Sequence, residues 1–281
     1  MAIQYTDQHI TVFQSSLHQT TSTVVHTDDV IFIVDPAWLP EEVEAIQSFV
    51  KEVDKGQKKY LFFTHSDFDH ILAYHAFPEA VTIASRGFVS RSKEHREETV
   101  KEIQEFDDYY YIERPYVIEY PKIEIIIDFD GQTIHVGETS FSFYLAPGHT
   151  ADGAFVTVNE LGALIVGDYL SDIEFPFIYY HSEAYEKTLN KFESVIEEKE
   201  IHLLVPGHGT VTTERKEMTD RIDDSRWYIE TLRNDLNDVL SDEYSVLEAF
   251  VDSFQFPTFL MKMHEKNVEQ IQKEANERPH Q

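Results

Sequence analysis

One short segment concentrates side chains able to do chemistry. Thr64-His65-Ser66-Asp67-Phe68-Asp69-His70 places four candidate ligands, His65, Asp67, Asp69 and His70, directly after the apolar run Tyr60-Leu61-Phe62-Phe63. A chain leaving a buried strand there can turn several side chains toward one point. Imidazole nitrogen and carboxylate oxygen both bind divalent metal ions, and only such ligands are on offer. The absence of cysteine excludes disulfides, thiolate sites, iron–sulfur clusters and cysteine nucleophiles together. A solvated loop also holds Asp and His, so the cluster alone does not decide the matter. Three later positions add weight: His149 after Phe141 to Leu145, Asp168 after Ala163 to Val166, and His208 after Leu203 to Val205. Each follows a short apolar run with a glycine immediately before it, and glycine permits the tight exits and close approach that a crowded site needs. Singly, each fits an ordinary turn residue. Four matching strand exits predict convergence on one sheet edge.

The elements that must position these groups are legible in outline. Ile10 to Phe13, Thr23 to His26 and Val30 to Val34 are β-branched runs that predict a meander ending at Asp35-Pro36. Pro40-Glu41-Glu42 ahead of Val43, Ile46 and Val50 predicts a helix, and the continuous run at Tyr60 predicts a strand buried on both faces. Ile123 to Ile127 and Thr133 to Val136 around Asp128-Phe129-Asp130-Gly131 predict a hairpin. Tyr185, Leu189, Phe192 and Ile196 share one face of a helix from Ser182 to about Lys199. Ile229, Leu232, Leu236 and Val239 mark a later amphipathic helix, and Leu260, Met263, Val268 and Ile271 another. Strands and helices mixed without strict alternation predict an α+β chain of stacked sheets covered by helices.

Composition narrows the function. Fifty-two acidic against 23 basic residues give a net charge of −29, which repels a phosphate backbone, so nucleic acid is not expected as a partner. No apolar stretch approaches a membrane-spanning length, and Met1 to Asp7 lacks the basic and apolar regions of a secretory signal; the expectation is a cytoplasmic protein without a membrane partner. No Gly-x-Ser-x-Gly elbow occurs, which argues against a serine nucleophile.

The pattern His-x-Asp-x-Asp-His, then Gly-His-Thr, Gly-Asp and Pro-Gly-His-Gly resembles the metallo-β-lactamase superfamily, whose usual first motif is His-x-His-x-Asp-His. The resemblance runs from the strands before Asp35-Pro36 to about Thr210. It implies a four-layer αββα sandwich with two metal ions at one edge of the paired sheets, here with extra helices from about residue 215 to 281. Residues 1–281 are then one metallo-hydrolase domain, with the extra helices packed on it as a cap or as the contact of a homodimer. The resemblance also implies ligand sets: His65, Asp67 and His149 for the first ion, Asp69, His70 and His208 for the second, and Asp168 bridging. Asp67 departs from the common motif by replacing its second histidine. Three carboxylates and a bridging hydroxide would bring the charge of two divalent ions to about neutral. The harder oxygen ligand shifts preference from zinc, the expected ion, toward iron or manganese, and the flavodiiron branch similarly has a carboxylate there.

The expected activity is hydrolysis of a small molecule, an ester, lactone, thioester or phosphodiester, by a metal-bridging hydroxide, with Asp69 orienting it and taking its proton. The alternatives are a diiron redox protein reducing oxygen or nitric oxide with a separate electron donor, and a metal-binding module without turnover. The aromatic-rich stretch after Asp168 suggests substrate contacts at Asp172, Glu174, Phe175, Tyr179 and His181, although a loop packed on the next helix explains the same residues. Asp152 is either a hydrogen-bond partner of a ligand imidazole or a turn residue before Gly153. His75 and His95 read as members of solvated helical faces.

Overall fold

The computed structural model describes residues 1–237 and 244–277. Strands β1 (Ala2–Thr6), β2 (Ile10–Gln14), β3 (Thr21–His26) and β4 (Val30–Val34) form an antiparallel meander. β5 (Lys58–Phe62), β6 (Val81–Ser85) and β7 (Ile125–Ile127) extend it in parallel, giving one sheet in chain order. The second sheet has the order β12-β11-β10-β9-β8, from β8 (Gln132–Val136), β9 (Thr139–Leu145), β10 (Ala154–Val158), β11 (Ala163–Ile165) and β12 (Leu203–Val205). Its β11–β12 pair is parallel and its other pairs are antiparallel.

Helices α1 (Pro40–Val53), α2 (Phe68–Ile71), α3 (Arg86–Val89) and α4 (Lys93–Tyr110) cover the outer face of the first sheet. Helices α5 (Ser182–Glu198), α6 (Arg215–Asn237), α7 (Tyr244–Asp252) and α8 (Pro257–Glu277) cover that of the second. The result is a four-layer αββα sandwich. In β4, Val30, Phe32 and Val34 enter the layer between the sheets while Ile31 and Ile33 face the helices. Burial on both faces is why this strand is a continuous apolar run. Phe32 stacks on Phe141 across the two sheets with ring centroids 4.2 Å apart.

The predicted hairpin around Asp128 is corrected. The turn exists, with Gly131 at φ +80°, but its two strands part: β7 pairs with β6 in the first sheet and β8 with β9 in the second. The Gln132 side chain takes the place of a ladder partner, donating to the Ile126 carbonyl and accepting from the Asp128 amide. With its backbone groups so satisfied, the turn becomes the crossing between sheets. Edge strand β1, largely exposed, gave no apolar alternation to detect. Of the predicted amphipathic helix near Ile229, Val239 lies outside the described residues.

Candidate metal centre

Strands β9, β11 and β12 point the same way, and the loops leaving their C-terminal ends meet the loop leaving β5 at one edge of the sandwich. His65 lies three residues past β5, His149 four past β9, and Asp168 and His208 three past β11 and β12. Two of the preceding glycines are required sterically. A Cβ at Gly207 would sit 2.2 Å from the Asp168 carboxylate, and Gly148, at φ +145°, leaves 2.3 Å between such a Cβ and the backbone of Tyr185.

All seven predicted ligand residues come together. Nε2 of His65 is 3.6 Å from Asp67 Oδ2 and 3.6 Å from Asp168 Oδ2; Nε2 of His149 is 3.4 Å and 3.3 Å from the same two oxygens. On the other side, Nε2 of His70 is 3.5 Å from Asp69 Oδ2 and 3.1 Å from Asp168 Oδ1, and Nε2 of His208 is 3.4 Å from Asp69 Oδ2 and 3.3 Å from Asp168 Oδ2. Asp168 therefore sits between two groups able to hold a metal ion, one with His65 and His149, the other formed by Asp69, His70 and His208.

Each imidazole is held from behind through Nδ1. His65 bonds Thr64 Oγ1 at 3.0 Å, His70 bonds Asp35 Oδ2 at 2.9 Å, His149 bonds the Phe177 carbonyl at 2.8 Å, and His208 bonds the His18 carbonyl at 3.0 Å. Such bonds fix the ring orientation and turn Nε2 inward. The Nε2 atoms of His65, His70 and His149 and Oδ1 of Asp168 are buried without a hydrogen-bond partner.

The electrostatics follow from this crowding. Burial alone would lower the histidine pKa values, but the Asp168 and Asp67 carboxylates outweigh it at His149 and lift it to about 10. At His208 burial is likewise outweighed, by Asp168, Glu174 and Asp69, and the pKa again reaches about 10. His65 is raised and His70 raised strongly for the same reason. Burial works against ionisation of Asp67 and Asp168, yet the surrounding imidazoles hold both well below the usual carboxylate range.

The centre opens into a cavity of about 220 Å³ walled by Trp38, Phe68, Phe177, Tyr179 and Phe259. Through shared walls it continues into a cavity of about 550 Å³ that includes Arg91, His95 and Lys266, and a more apolar one of about 300 Å³ that includes Ile173, Phe256 and Leu260.

The candidate substrate contacts divide. Glu174 and Tyr179 border the central cavity, with the Tyr179 ring 5.0 Å from that of His149, and burial pushes the Glu174 carboxyl up to about 7. Phe175 does not reach it. Its ring packs 4.7 Å from Tyr228 on α6 within the outer apolar layer. Asp172 accepts from the Thr210 amide at 2.6 Å and so ties down the loop carrying His208. His181 caps α5, accepting from the Glu183 amide at 3.2 Å. In these three the loop packs an apolar ring on the helices and turns its polar ends to backbone amides, Thr210 for Asp172 and Glu183 for His181.

Asp152 pairs with Arg91 at 2.6 Å and bonds no ligand imidazole. His95 is not on a solvated face: its Nε2 lies 3.2 Å from the buried Ser66 Oγ. His75, in a single 3₁₀ turn, pairs with Glu119 at 3.1 Å.

Sequence reasoning missed Asp35 and His18, and read Phe259 only as one of an aromatic group that caps the metals or forms a dimer contact. Asp35, at φ +45°, accepts from the Thr64 amide and hydroxyl as well as from His70. It follows the apolar strand β4 directly, which is the same signal that marked the other strand exits. His18 stacks on Trp38 at 5.9 Å and faces Phe259 at 5.5 Å; nothing in its local sequence marks it.

Residues 16–208 match the family model of the metallo-beta-lactamase superfamily, and the chain belongs to that superfamily. Its fold is similar to an archaeal superfamily protein from Sulfolobus tokodaii, with 16% identity and a TM-score of 0.58 over 95% of this chain and 100% of that one. It is also similar to a metallo-beta-lactamase family protein from Thermus thermophilus, with 16% identity and a TM-score of 0.59 over 80% of this chain and 82% of that one. A third likeness is to the stereoselective inverting sec-alkylsulfatase Pisa1 from Pseudomonas sp., with 11% identity and a TM-score of 0.62; 84% of this chain is covered, spanning 42% of the alkylsulfatase's length. At these identities the likeness is one of fold. No curated protein matches the chain. Among the described residues, no helix is long and apolar enough to cross a membrane.

Proposed function

We propose that the protein is a metal-dependent hydrolase of a small molecule, an ester, lactone, thioester or phosphodiester. His65, Asp67 and His149 would hold one divalent ion, Asp69, His70 and His208 the other, with Asp168 shared. The observation that carries this reading is the set of buried, unpartnered Nε2 atoms and Asp168 Oδ1 aimed at one another, while every Nδ1 is bonded outward. Burying such groups unsatisfied is costly, and cations in their midst would satisfy them. The chemistry the ions supply when bound is Lewis acidity and the acidification of water to a pKa near about 7.

The chain's own residues do the rest. Asp69, at the cavity wall, orients the attacking water and takes up its proton at a carboxylate oxygen. Trp38, Phe68, Phe177 and Phe259 exclude bulk solvent, which strengthens each electrostatic contact. Glu174 and Tyr179 offer polar contacts to the substrate, and the cavity beside Ile173, Phe256 and Leu260 accepts an apolar arm.

The test is metal analysis of protein purified without added metal, with chromogenic esters, lactones and phosphodiesters as substrates. About two equivalents of zinc, iron or manganese with chelator-sensitive hydrolysis is expected. Metal with no turnover on any of them would overturn the hydrolase reading in favour of a binding module, and iron with oxygen consumption would favour redox chemistry. A finer expectation concerns Asp35. Asp35→Asn removes the charge behind His70 and is expected to weaken metal affinity by about 10- to 100-fold in chelator competition; unchanged affinity would exclude that role.

A further inference from the structure

All seven candidate ligands lie within the residues matched to the superfamily, yet one of them is oriented from outside it. The Phe177 carbonyl that accepts from His149 Nδ1 is flanked on both sides by bonds to a single side chain, Asn267 of α8. Its Nδ2 donates to the Pro176 carbonyl at 2.6 Å, and its Oδ1 accepts from the Ile178 amide at 2.8 Å. Asn267 is 1% exposed, and its Nδ2 also lies 3.0 Å from the Tyr228 hydroxyl.

The bracket is part of a longer rail. Met263, Asn267, Gln270 and Glu274 recur at helical spacing on one face of α8. In order they meet the Tyr179 hydroxyl, the Pro176–Ile178 backbone, the Tyr180 carbonyl and the Ser182 amide and hydroxyl. The loop so held also closes on the turn that carries His149. The Tyr179 amide donates to the His149 carbonyl at 2.9 Å, and the amides of Tyr180 and His181 donate to the Gly148 carbonyl at 3.3 Å.

We infer that Asn267 is a positioning residue for the metal centre: through the Phe177 carbonyl it fixes the ring of His149, so that α8 determines the affinity of the first metal site. The alternative is that α8 merely covers the outer face of the sheet. The inference rests on the ligand assignment proposed above.

The two are separated by Asn267→Ala beside Leu247→Ala, a control that removes buried apolar area from α7 in the same layer. In chelator competition, N267A is expected to lose about 10- to 100-fold in affinity for one of two ions and to keep the other. L247A should lower Tm with both affinities retained. Asn267→Asp keeps the acceptor for Ile178 but sets a carboxylate oxygen against the Pro176 carbonyl, so it is expected to lose the same affinity as N267A, and it serves as the second variant should N267A not fold. In the metal-free protein, NMR of the His149 ring gives a second readout: its Nδ1 proton should exchange slowly in wild type and faster in either Asn267 variant. Variants that lower Tm as L247A does, with both affinities and the ring proton unchanged, overturn the inference. A wild type that binds no metal overturns the ligand assignment instead, while the ring proton still reports whether Asn267 holds His149.

Discussion

Replacing Asp168 with asparagine is expected to empty both metal sites at once and to cost at least about a thousandfold in kcat/KM, or about 4 kcal/mol of transition-state stabilisation. Among the described residues the carboxylate is the one group placed against all four imidazoles, through Oδ2 at 3.6 Å from His65 and 3.3 Å from both His149 and His208, and through Oδ1 at 3.1 Å from His70. An amide keeps the shape but removes the negative charge and one acceptor oxygen. By contrast, Asp67 meets only His65 and His149 of the four, so Asp67→Asn should weaken one site and spare the other. Metal content of the two purified variants distinguishes the cases. Two tightly held equivalents in the Asp168 variant, or activity within tenfold of wild type, would refute the bridging role.

That contrast could be framed from sequence because the candidate ligands obey a local rule. His65, His149, Asp168 and His208 each follow a short apolar strand, and strands buried on both faces are the easiest elements to recognise. Apolar runs marked most of the strands, though neither β1 nor β6, and the division into two facing sheets came from the resemblance. Where reasoning failed, the deciding contact was one that apolar periodicity does not show. The pairing of β7 with β6 and of β8 with β9 depends on Gln132 satisfying the backbone between them, which no periodicity encodes. Phe175 and Tyr179 belong to one aromatic stretch, and only the packing of α6 and α8 sends the first into the core and leaves the second beside His149. His18 and Asn267 reach the centre through the backbone carbonyls of His18 and Phe177, and a carbonyl carries no residue signature.

Metal uptake is expected to release protons, with an apparent affinity that climbs as pH rises through the neutral range. In the metal-free protein the carboxylates overcome burial and hold His149 and His208 near a pKa of about 10, so these two imidazoles are charged at neutral pH, and they raise His65 and His70 in the same direction. A metal ion needs the Nε2 lone pair, and each imidazole that binds must first give up a proton. The slope of log affinity against pH equals the number released, here between about one and four. The same groups set the stability of the metal-free protein. Histidines raised above their ordinary value of 6.5 stabilise the fold fully below that pH and lose the contribution as pH climbs toward about 10. Asp67 and Asp168, depressed below 3.8, contribute above that value and lose it as pH falls through their folded pKa values. The metal-free Tm should therefore peak between about pH 4 and 6.5 and fall on the alkaline side, where the loaded protein is held by its ligands. Calorimetric titration with zinc in buffers of different ionisation enthalpy counts the protons directly. Release of fewer than one per protein, or a metal-free Tm that rises from pH 6.5 to 9.5, would mean that the imidazoles enter the site already neutral and that the carboxylates do not hold their protons.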